Sequence, residues 1–168
     1  MDFYESIAPG YDELYAHEQE RKLNLVNEKL GSKLNGFLLD VGCGTGISTN
    51  AWKCAPFKVG VDACIEMLKI AKEKFPDGFF VCAKAEHLPF KNDVFDSVIC
   101  LTAFHNFNDV QKSLMEMKRV SKEKCTFVIS VLKKSRRFNE LVNSIRKLFS
   151  FCKEIVDDKH DLILIRKF

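Results

Sequence analysis

The sequence of 168 residues predicts a doubly wound α/β fold with a mostly parallel, seven-stranded sheet that ends in an antiparallel β-hairpin. Three observations lead to this prediction. Short apolar runs alternate with segments of helical periodicity. The first run, Gly36–Val41, leads into a glycine-rich turn, and the second run, Phe57–Val61, is followed by an acid. The last two runs flank the polar stretch 157–160, which is typical of a hairpin turn.

The remaining elements follow in alternating order behind a long N-terminal helix, Ala16–Leu30, which ends at a glycine. We expect one domain, with residues 1–35 as a helical cap and residues 36–168 as the core. The segment 121–124 is expected to form a surface turn. The other predicted strands are Phe79–Cys82, Val94–Leu101, Cys125–Leu132, Phe151–Val156 and Leu162–Phe168, and the other predicted helices are Ile47–Cys54, Cys64–Phe75, one capped by Asn108 with Gln111 reaching back, and Ser135–Phe149.

Composition places the chain among compact intracellular proteins. Hydrophobic residues make up 46% of the chain, which is ample material for a core. No apolar run approaches the roughly 18 residues that a membrane helix needs, and the acidic N-terminus lacks the layout of a signal peptide. We therefore expect a soluble cytoplasmic protein that does not insert into membranes.

The cysteines predict neither a metal site nor disulfides. Their number is odd, and no two of them form a C-x-x-C pair. Most fall in predicted strands or on helix faces, where a free cysteine behaves as a small buried hydrophobe. The seven are Cys43, Cys54, Cys64, Cys82, Cys100, Cys125 and Cys152.

The glycine-rich turn predicts a site for a nucleoside-bearing cofactor. Gly42 and Gly44 allow the backbone to turn sharply and to approach a ligand closely. Asp62 follows the second strand, where a carboxylate can accept hydrogen bonds from both hydroxyls of a ribose. Ile47 occupies the position of the third glycine in the dinucleotide fingerprint G-x-G-x-x-G, which disfavours NAD.

The spacing G-x-G-x-G preceded by Asp40 resembles motif I of the class I S-adenosylmethionine-dependent methyltransferases. The resemblance extends over most of the chain, from Tyr11 to Phe168, and its general pattern is similar to small-molecule and ubiquinone-biosynthesis-like members. Further segments resemble family motifs in the family's order: Ile7–Asp12 (A-x-x-Y-D), Asp62–Leu68 (an acid before S-x-x-M-L), Ala85–Phe90 (A-E-x-L-P-F), Phe95–Cys100 (F-D-x-V) and His105–Phe107 (H-H-F).

The resemblance implies that S-adenosylmethionine is the cofactor. The glycine loop would take its methionine moiety, and the start of the next helix would face its carboxylate. Asp40 would bind the ammonium directly or through water, or would only cap the following turn. The implied cofactor-binding residues are Tyr11, Asp40, Gly42, Cys43, Gly44, Asp62, Ala63, Met67, Ala85, Glu86 and Leu101.

The adenine end departs from the family pattern. Many relatives carry an acid that accepts a hydrogen bond from the adenine amino group, but this chain has Lys84 there, which can only donate. The backbone N–H of Ala85 can still reach a ring nitrogen, and Glu86 can replace the missing acid. Met67 lies over the adenine face or packs in a helix core.

Methyl transfer depends mainly on positioning, and a base is needed only when the acceptor must lose a proton. His105 is the candidate catalytic residue, because the resemblance places it beyond the fourth strand facing the methyl group. A loop histidine that shapes the pocket is the competing interpretation. Asn106 and Tyr11 are candidates for orienting the acceptor.

The charge distribution does not identify the methyl acceptor. Residues 109–168 hold 15 Lys and Arg residues against 8 Asp and Glu residues, so the C-terminal half is basic. A small-molecule acceptor is the leading hypothesis. An RNA or protein methyltransferase that uses the basic half, with a partner subunit, is the second. Two further hypotheses are a non-catalytic module that binds the cofactor and a nicotinamide-dependent protein.

Overall fold

The computed structural model describes residues 3–30, 34, 36–149 and 154–166. Seven strands and six α-helices lie within these ranges. The strands are β1 (Phe37–Val41), β2 (Phe57–Asp62), β3 (Phe79–Cys82), β4 (Phe95–Cys100), β5 (Ser121–Leu132), β6 (Glu154–Asp157) and β7 (Asp161–Arg166). The helices are α1 (Phe3–Ile7), α2 (Tyr11–Leu30), α3 (Ile47–Ala51), α4 (Ile65–Lys74), α5 (Val110–Val120) and α6 (Phe138–Leu148).

All seven strands form one sheet in the order β3-β2-β1-β4-β5-β7-β6. The strands β1 to β5 run parallel to one another, whereas β7 runs antiparallel to both of its neighbours. The chain moves outward from β1 to β3 and then crosses back to β4. This reversal creates a switch point beyond the carboxyl ends of β1 and β4, where doubly wound folds bind ligands. The predicted fold class is therefore confirmed.

Both faces of the sheet are buried, which explains the nearly continuous apolar runs in the sequence. Neighbouring residues of a strand point to opposite faces, so Leu38 and Leu39 enter different cores. Leu39 packs in the core that includes Leu114 of α5 and Leu141 of α6. Leu38 packs in the core that includes Val26 of α2.

Several predicted boundaries differ from the structure, and α6 for example begins at Phe138 rather than Ser135. The helix α2 begins at Tyr11 rather than Ala16. The helix α3 ends at Ala51 rather than Cys54, because the backbone turns at Trp52 and buries that side chain. The predicted surface turn 121–124 is wrong, since β5 begins at Ser121. A register shift between β4 and β5 leaves 122–124 exposed within the strand.

The predicted cap of α5 is off by one residue. The side chain of Asp109, not that of Asn108, accepts the hydrogen bond from the Lys112 backbone N–H, at 2.9 Å. Gln111 does not reach back to the cap. Its side-chain amide donates to Ser144 Oγ at 2.7 Å and so joins α5 to α6.

Two predictions fall partly outside the described residues. The beginning of the sixth predicted strand and the end of the seventh lie there, as does Cys152. Within the described residues, no helix is long and apolar enough to cross a membrane, and no cluster of His, Cys, Asp or Glu is arranged to hold a metal ion.

Candidate functional site

A cavity of about 600 Å³ opens at the switch point, beyond the carboxyl ends of β1, β2 and β4. Its size falls within the roughly 300–1,000 Å³ typical of small-molecule sites. The lining includes all but one of the residues predicted to bind the cofactor, and the exception is Asp40. Those on the lining are Tyr11, Gly42, Cys43, Gly44, Asp62, Ala63, Met67, Ala85, Glu86 and Leu101.

The glycine loop that follows β1 forms one wall of this cavity. Gly42 has a φ of 77°, in the left-handed region that side chains other than glycine rarely adopt. A Cβ atom at Gly42 would overlap the methyl group of Ala103, in the loop that follows β4. The backbone N–H groups of Gly42 and Cys43 both donate to the carbonyl oxygen of Val61, at 2.7 and 3.0 Å. The loop is thus fixed to β2 on one side and packed against the β4 loop on the other.

Asp62, at the end of β2, joins two backbone segments of the cavity wall. Its Oδ2 accepts a hydrogen bond from the Gly44 N–H at 2.8 Å, and its Oδ1 accepts one from the Cys64 N–H at 2.9 Å. Asp62 is half-buried on the cavity lining, where a ligand can reach its carboxylate. A carboxylate at the end of this strand suits the hydroxyl groups of a ribose.

Asp40 lies beneath the glycine loop and is fully buried, so it is not part of the cavity wall. Its Oδ2 accepts hydrogen bonds from Ser48 Oγ at 2.6 Å and Thr49 Oγ1 at 2.7 Å. Burial raises the pKa of Asp40 to about 6, although the two hydroxyl groups act in the opposite direction. Its Oδ1 is buried without a hydrogen-bond partner among the described residues. A buried acceptor of this kind fits a cationic ligand group, reached through Ser48, which does line the cavity.

The opposite end of the cavity contains the residues predicted to surround adenine. Glu86 is buried, and its Oε1 accepts hydrogen bonds from the backbone N–H groups of Asn108 at 3.0 Å and Asp109 at 3.2 Å. This carboxylate therefore fixes the loop that precedes α5. Lys84 is exposed at the rim, and Met67 is buried against Ala8 and Cys64 in a small apolar cluster.

The N-terminal segment covers the cavity with aromatic rings. Tyr4 of α1 and Tyr11 of α2 both line the cavity, with ring centroids 6.4 Å apart. The side-chain amide of Asn106 donates to the hydroxyl of Tyr4 at 2.7 Å, which joins this cover to the β4 loop. Burial raises the pKa of Tyr11 well above its ordinary value, so the phenol stays protonated. Asp12 fastens the cover by accepting a hydrogen bond from Thr45 Oγ1 at 2.6 Å.

His105, the predicted catalytic residue, does not line the cavity. It sits in a 3₁₀ turn, Phe104–Asn106, where consecutive side chains point about 120° apart. Phe104 enters the core and Asn106 faces the cavity, while His105 is not on the lining. Burial lowers the pKa of His105, the charge of Asp161 opposes this, and the charge of Lys22 acts in the same direction as burial. The catalytic role of His105 stays a prediction.

Sequence reasoning missed several residues of the cavity wall. Gln19 and Thr102 line it, as does Tyr4. Gln19 follows a helical periodicity that also fits a solvated face, and Thr102 belongs to no motif. Only their tertiary contacts show their positions.

The comparisons with known proteins agree with this geometry. Residues 39–129 match the family model for a methyltransferase domain. Demethylmenaquinone methyltransferase of Renibacterium salmoninarum is 34% identical over 124 residues, which are 71% of this chain and 52% of that protein. The chain spans about half the length of the curated relatives it matches.

Two solved structures share the fold. A Methanococcus maripaludis protein assigned as an S-adenosylmethionine-dependent methyltransferase superposes with a TM-score of 0.78 at 15% identity, covering 99% of this chain and 94% of that one. The methyltransferase in the complex with the Haloferax volcanii Trm112 activator also superposes with a TM-score of 0.78, at 21% identity. The match covers 95% of this chain and 80% of that one. The family match, the sheet order and the glycine loop at the switch point together show that the chain belongs to the class I S-adenosylmethionine-dependent methyltransferases.

Proposed function

We propose that this cavity binds S-adenosylmethionine and that the chain moves the cofactor's methyl group to a small-molecule acceptor. The bound cofactor supplies an activated methyl group on a sulfonium. The chain's own contribution is to bind the cofactor, to exclude water and to hold the acceptor in line. The observation that carries the proposal is the position of Asp62 on the cavity wall, where its carboxylate ties Gly44 to Cys64 beside the glycine loop.

The cofactor would lie along the wall in three parts. The backbone at Gly42 and Gly44 would contact the methionine moiety, whose ammonium group is a match for the buried carboxylate of Asp40 acting through Ser48. Asp62 would accept hydrogen bonds from the ribose. Adenine would lie between Met67 and the segment that includes Ala85.

The acceptor would enter on the side of the β4 loop, under the aromatic cover. Tyr4, Tyr11 and Phe107 supply ring faces there, and Gln19 and Asn106 supply neutral hydrogen-bonding groups. Such a mixture of apolar surface and a few polar groups is typical of small-molecule pockets.

Titration calorimetry tests the cofactor assignment. S-Adenosylmethionine and S-adenosylhomocysteine should bind with micromolar dissociation constants, and NAD should not bind under the same conditions. Binding of NAD alone would contradict the proposal. A subsequent screen with methyl-labelled cofactor separates an enzyme from a silent binding module, because only an enzyme transfers the label.

An alternative is a methyltransferase that works with a partner subunit on RNA or protein. Two observations favour it: the solved neighbour in complex with an activator, and the exposed Lys134 and Arg136 in the loop that follows β5, at the same edge of the sheet as the cavity. RNA binding through these residues would weaken steeply between 50 and 200 mM salt. Fluorescence anisotropy with an RNA oligonucleotide tests this, with Lys134→Glu/Arg136→Glu as the charge-reversed control. Salt-independent or absent binding supports the small-molecule proposal.

A further inference from the structure

A buried ion cluster lies directly behind the acceptor side of the cavity. Lys22 of α2 has no exposed surface, and its ammonium group contacts three oxygen atoms. It donates hydrogen bonds to Glu18 Oε1 at 2.6 Å and to Thr102 Oγ1 at 2.9 Å, and it forms an ion pair with Asp161 Oδ2 at 2.5 Å. Asp161 is fully buried as well. Two of these contacts are hydrogen bonds, and the third is an ion pair in which neither carboxylate oxygen of Asp161 has a hydrogen-bond partner among the described residues. An opposite charge at this distance is the condition for keeping the ammonium group buried.

The Lys22 cluster joins three parts of the chain that are distant in sequence. Lys22 and Glu18 belong to the N-terminal helix, Asp161 begins β7, and Thr102 follows β4. A buried ion pair is a weak source of net stability, because its desolvation cost offsets much of its attraction. Stability alone is therefore a weak reason for placing Lys22 here. The one cluster member on the cavity wall is Thr102.

Thr102 is held in an unfavourable backbone conformation. Its φ is 60°, which is a genuine outlier for a β-branched residue. The backbone N–H of Thr102 donates to Ser130 Oγ at 2.7 Å, so the strained turn is held from β5 while Lys22 holds the side chain. Strain of this kind persists only where the surroundings fix it, and it is concentrated at functional sites.

The hydrogen bond from Lys22 determines what the Thr102 hydroxyl can offer. Because its oxygen accepts from an ammonium group, the hydroxyl proton remains to be donated. Accepting from a cation also polarises the O–H bond and makes it a better donor. Beside it on the wall lie Tyr4, Tyr11 and Phe107, whose rings suit a flat molecule.

We propose that Thr102 is the acceptor-recognition residue of this cavity and that Lys22, acting through it, is a positioning residue. The acceptor class that follows is a planar molecule bearing a hydrogen-bond-accepting oxygen, such as the carbonyl of an aromatic ketone. This inference rests on the proposed function, since it takes the β4 side of the cavity as the acceptor side.

The test uses two probes of the same shape, 1-tetralone and tetralin, which differ in one carbonyl oxygen. Each is titrated by NMR into protein saturated with S-adenosylhomocysteine. The wild type should bind 1-tetralone about tenfold more tightly than tetralin, the contribution expected of one good hydrogen bond. Thr102→Val keeps the branched shape and removes the hydroxyl, so it should abolish the preference. Thr102→Ser keeps the hydroxyl and should retain it.

The positioning role of Lys22 needs a variant that still folds. Lys22→Met alone leaves Asp161 buried without its partner and should lower the melting temperature sharply. The double variant Lys22→Met/Asp161→Leu removes both charges and should recover most of that loss. It should nevertheless lose the preference for 1-tetralone, and adding Thr102→Val to it should cause no further loss.

Two results would overturn the inference. One is a wild type that shows no preference for 1-tetralone, whether both probes bind equally or neither binds. The other is a preference that survives in Thr102→Val or in the double variant. Failure of the proposed function would appear separately, as absence of S-adenosylhomocysteine binding in the wild type.

Discussion

The buried carboxyl group of Asp40 predicts an unusual dependence of stability on pH. Burial raises its pKa in the folded protein from 3.8 to about 6. Between pH 4 and 6 the folded protein therefore holds a proton that the unfolded chain releases. The free energy of unfolding contributed by this group is fully present below about pH 4 and is lost as the pH rises through 6. A pKa raised by this amount corresponds to a full contribution of about 3 kcal/mol to the free energy of unfolding.

Urea denaturation followed by circular dichroism at pH 4, 5, 6 and 7 measures this contribution. Asp40→Asn removes the titration, so the difference in unfolding free energy between wild type and variant should change by about 2.4 kcal/mol between pH 4 and 7. Asp96→Asn is the control of opposite sign. Burial acts to raise the pKa of Asp96, but the hydrogen bonds from Lys122 and from the Phe37 N–H, together with the charge of Lys122, lower it overall. The contribution of Asp96 is therefore lost as pH falls. A constant difference between wild type and Asp40→Asn from pH 4 to 7 would refute the reasoning.

Three further substitutions test particular contacts. Gly42→Ala should destabilise the protein by about 1–3 kcal/mol and abolish binding of S-adenosylhomocysteine, because Gly42 has a positive φ and the new methyl group would overlap the β4 loop. Gly10→Ala is the control. A Cβ atom there meets no atom within 4 Å, so neither stability nor binding should change. Asp109→Ala should lower the unfolding free energy by about 1 kcal/mol through loss of the α5 cap, and an equal effect of Asn108→Ala in the same urea titrations would contradict this assignment. Lys84→Asp should tighten S-adenosylhomocysteine binding in calorimetry by about threefold to tenfold, by supplying an acceptor for the adenine amino group, and unchanged affinity would place adenine elsewhere.

The local sequence pattern was sufficient to predict the strands of the sheet, because most of them are short apolar runs buried on both faces. Leu38 and Leu39 illustrate why, since each enters a separate core. The ends of elements depended on contacts from elsewhere in the chain. Asn108 and Asp109 can both cap a helix. The choice of Asp109 goes together with Glu86, which holds the backbone N–H groups of both residues from a distant loop.

The positions of the glycine loop and Asp62 on the cavity wall were predictable for the same reason, since both are adjacent to strands in the sequence. The position of Thr102 on that wall, and of Lys22 behind it, was not predictable. The sequence around Lys22 is typical of a solvent-exposed lysine on a polar helix. Its burial depends on contacts with residues far along the chain, such as Asp161. The positive φ of Thr102 has no sequence signature, because a branched side chain argues against it. The sequence also could not show that His105 lies off the cavity lining, since one position in a 3₁₀ turn decides which side chain faces the cavity.

Calorimetric titration of S-adenosylhomocysteine into the wild type and Asp62→Ala tests the central claim most directly. Charge-assisted hydrogen bonds from a ribose to this carboxylate contribute about 1.5–3 kcal/mol, so the variant should bind about 10- to 100-fold more weakly. Asp62→Asn keeps the shape of the side chain and one acceptor oxygen, so its affinity for S-adenosylhomocysteine should lie between those of the wild type and Asp62→Ala. Micromolar binding by the wild type with this graded loss is the predicted result. Equal affinity in wild type and Asp62→Ala would contradict the assignment of Asp62, and with it the proposed cofactor site.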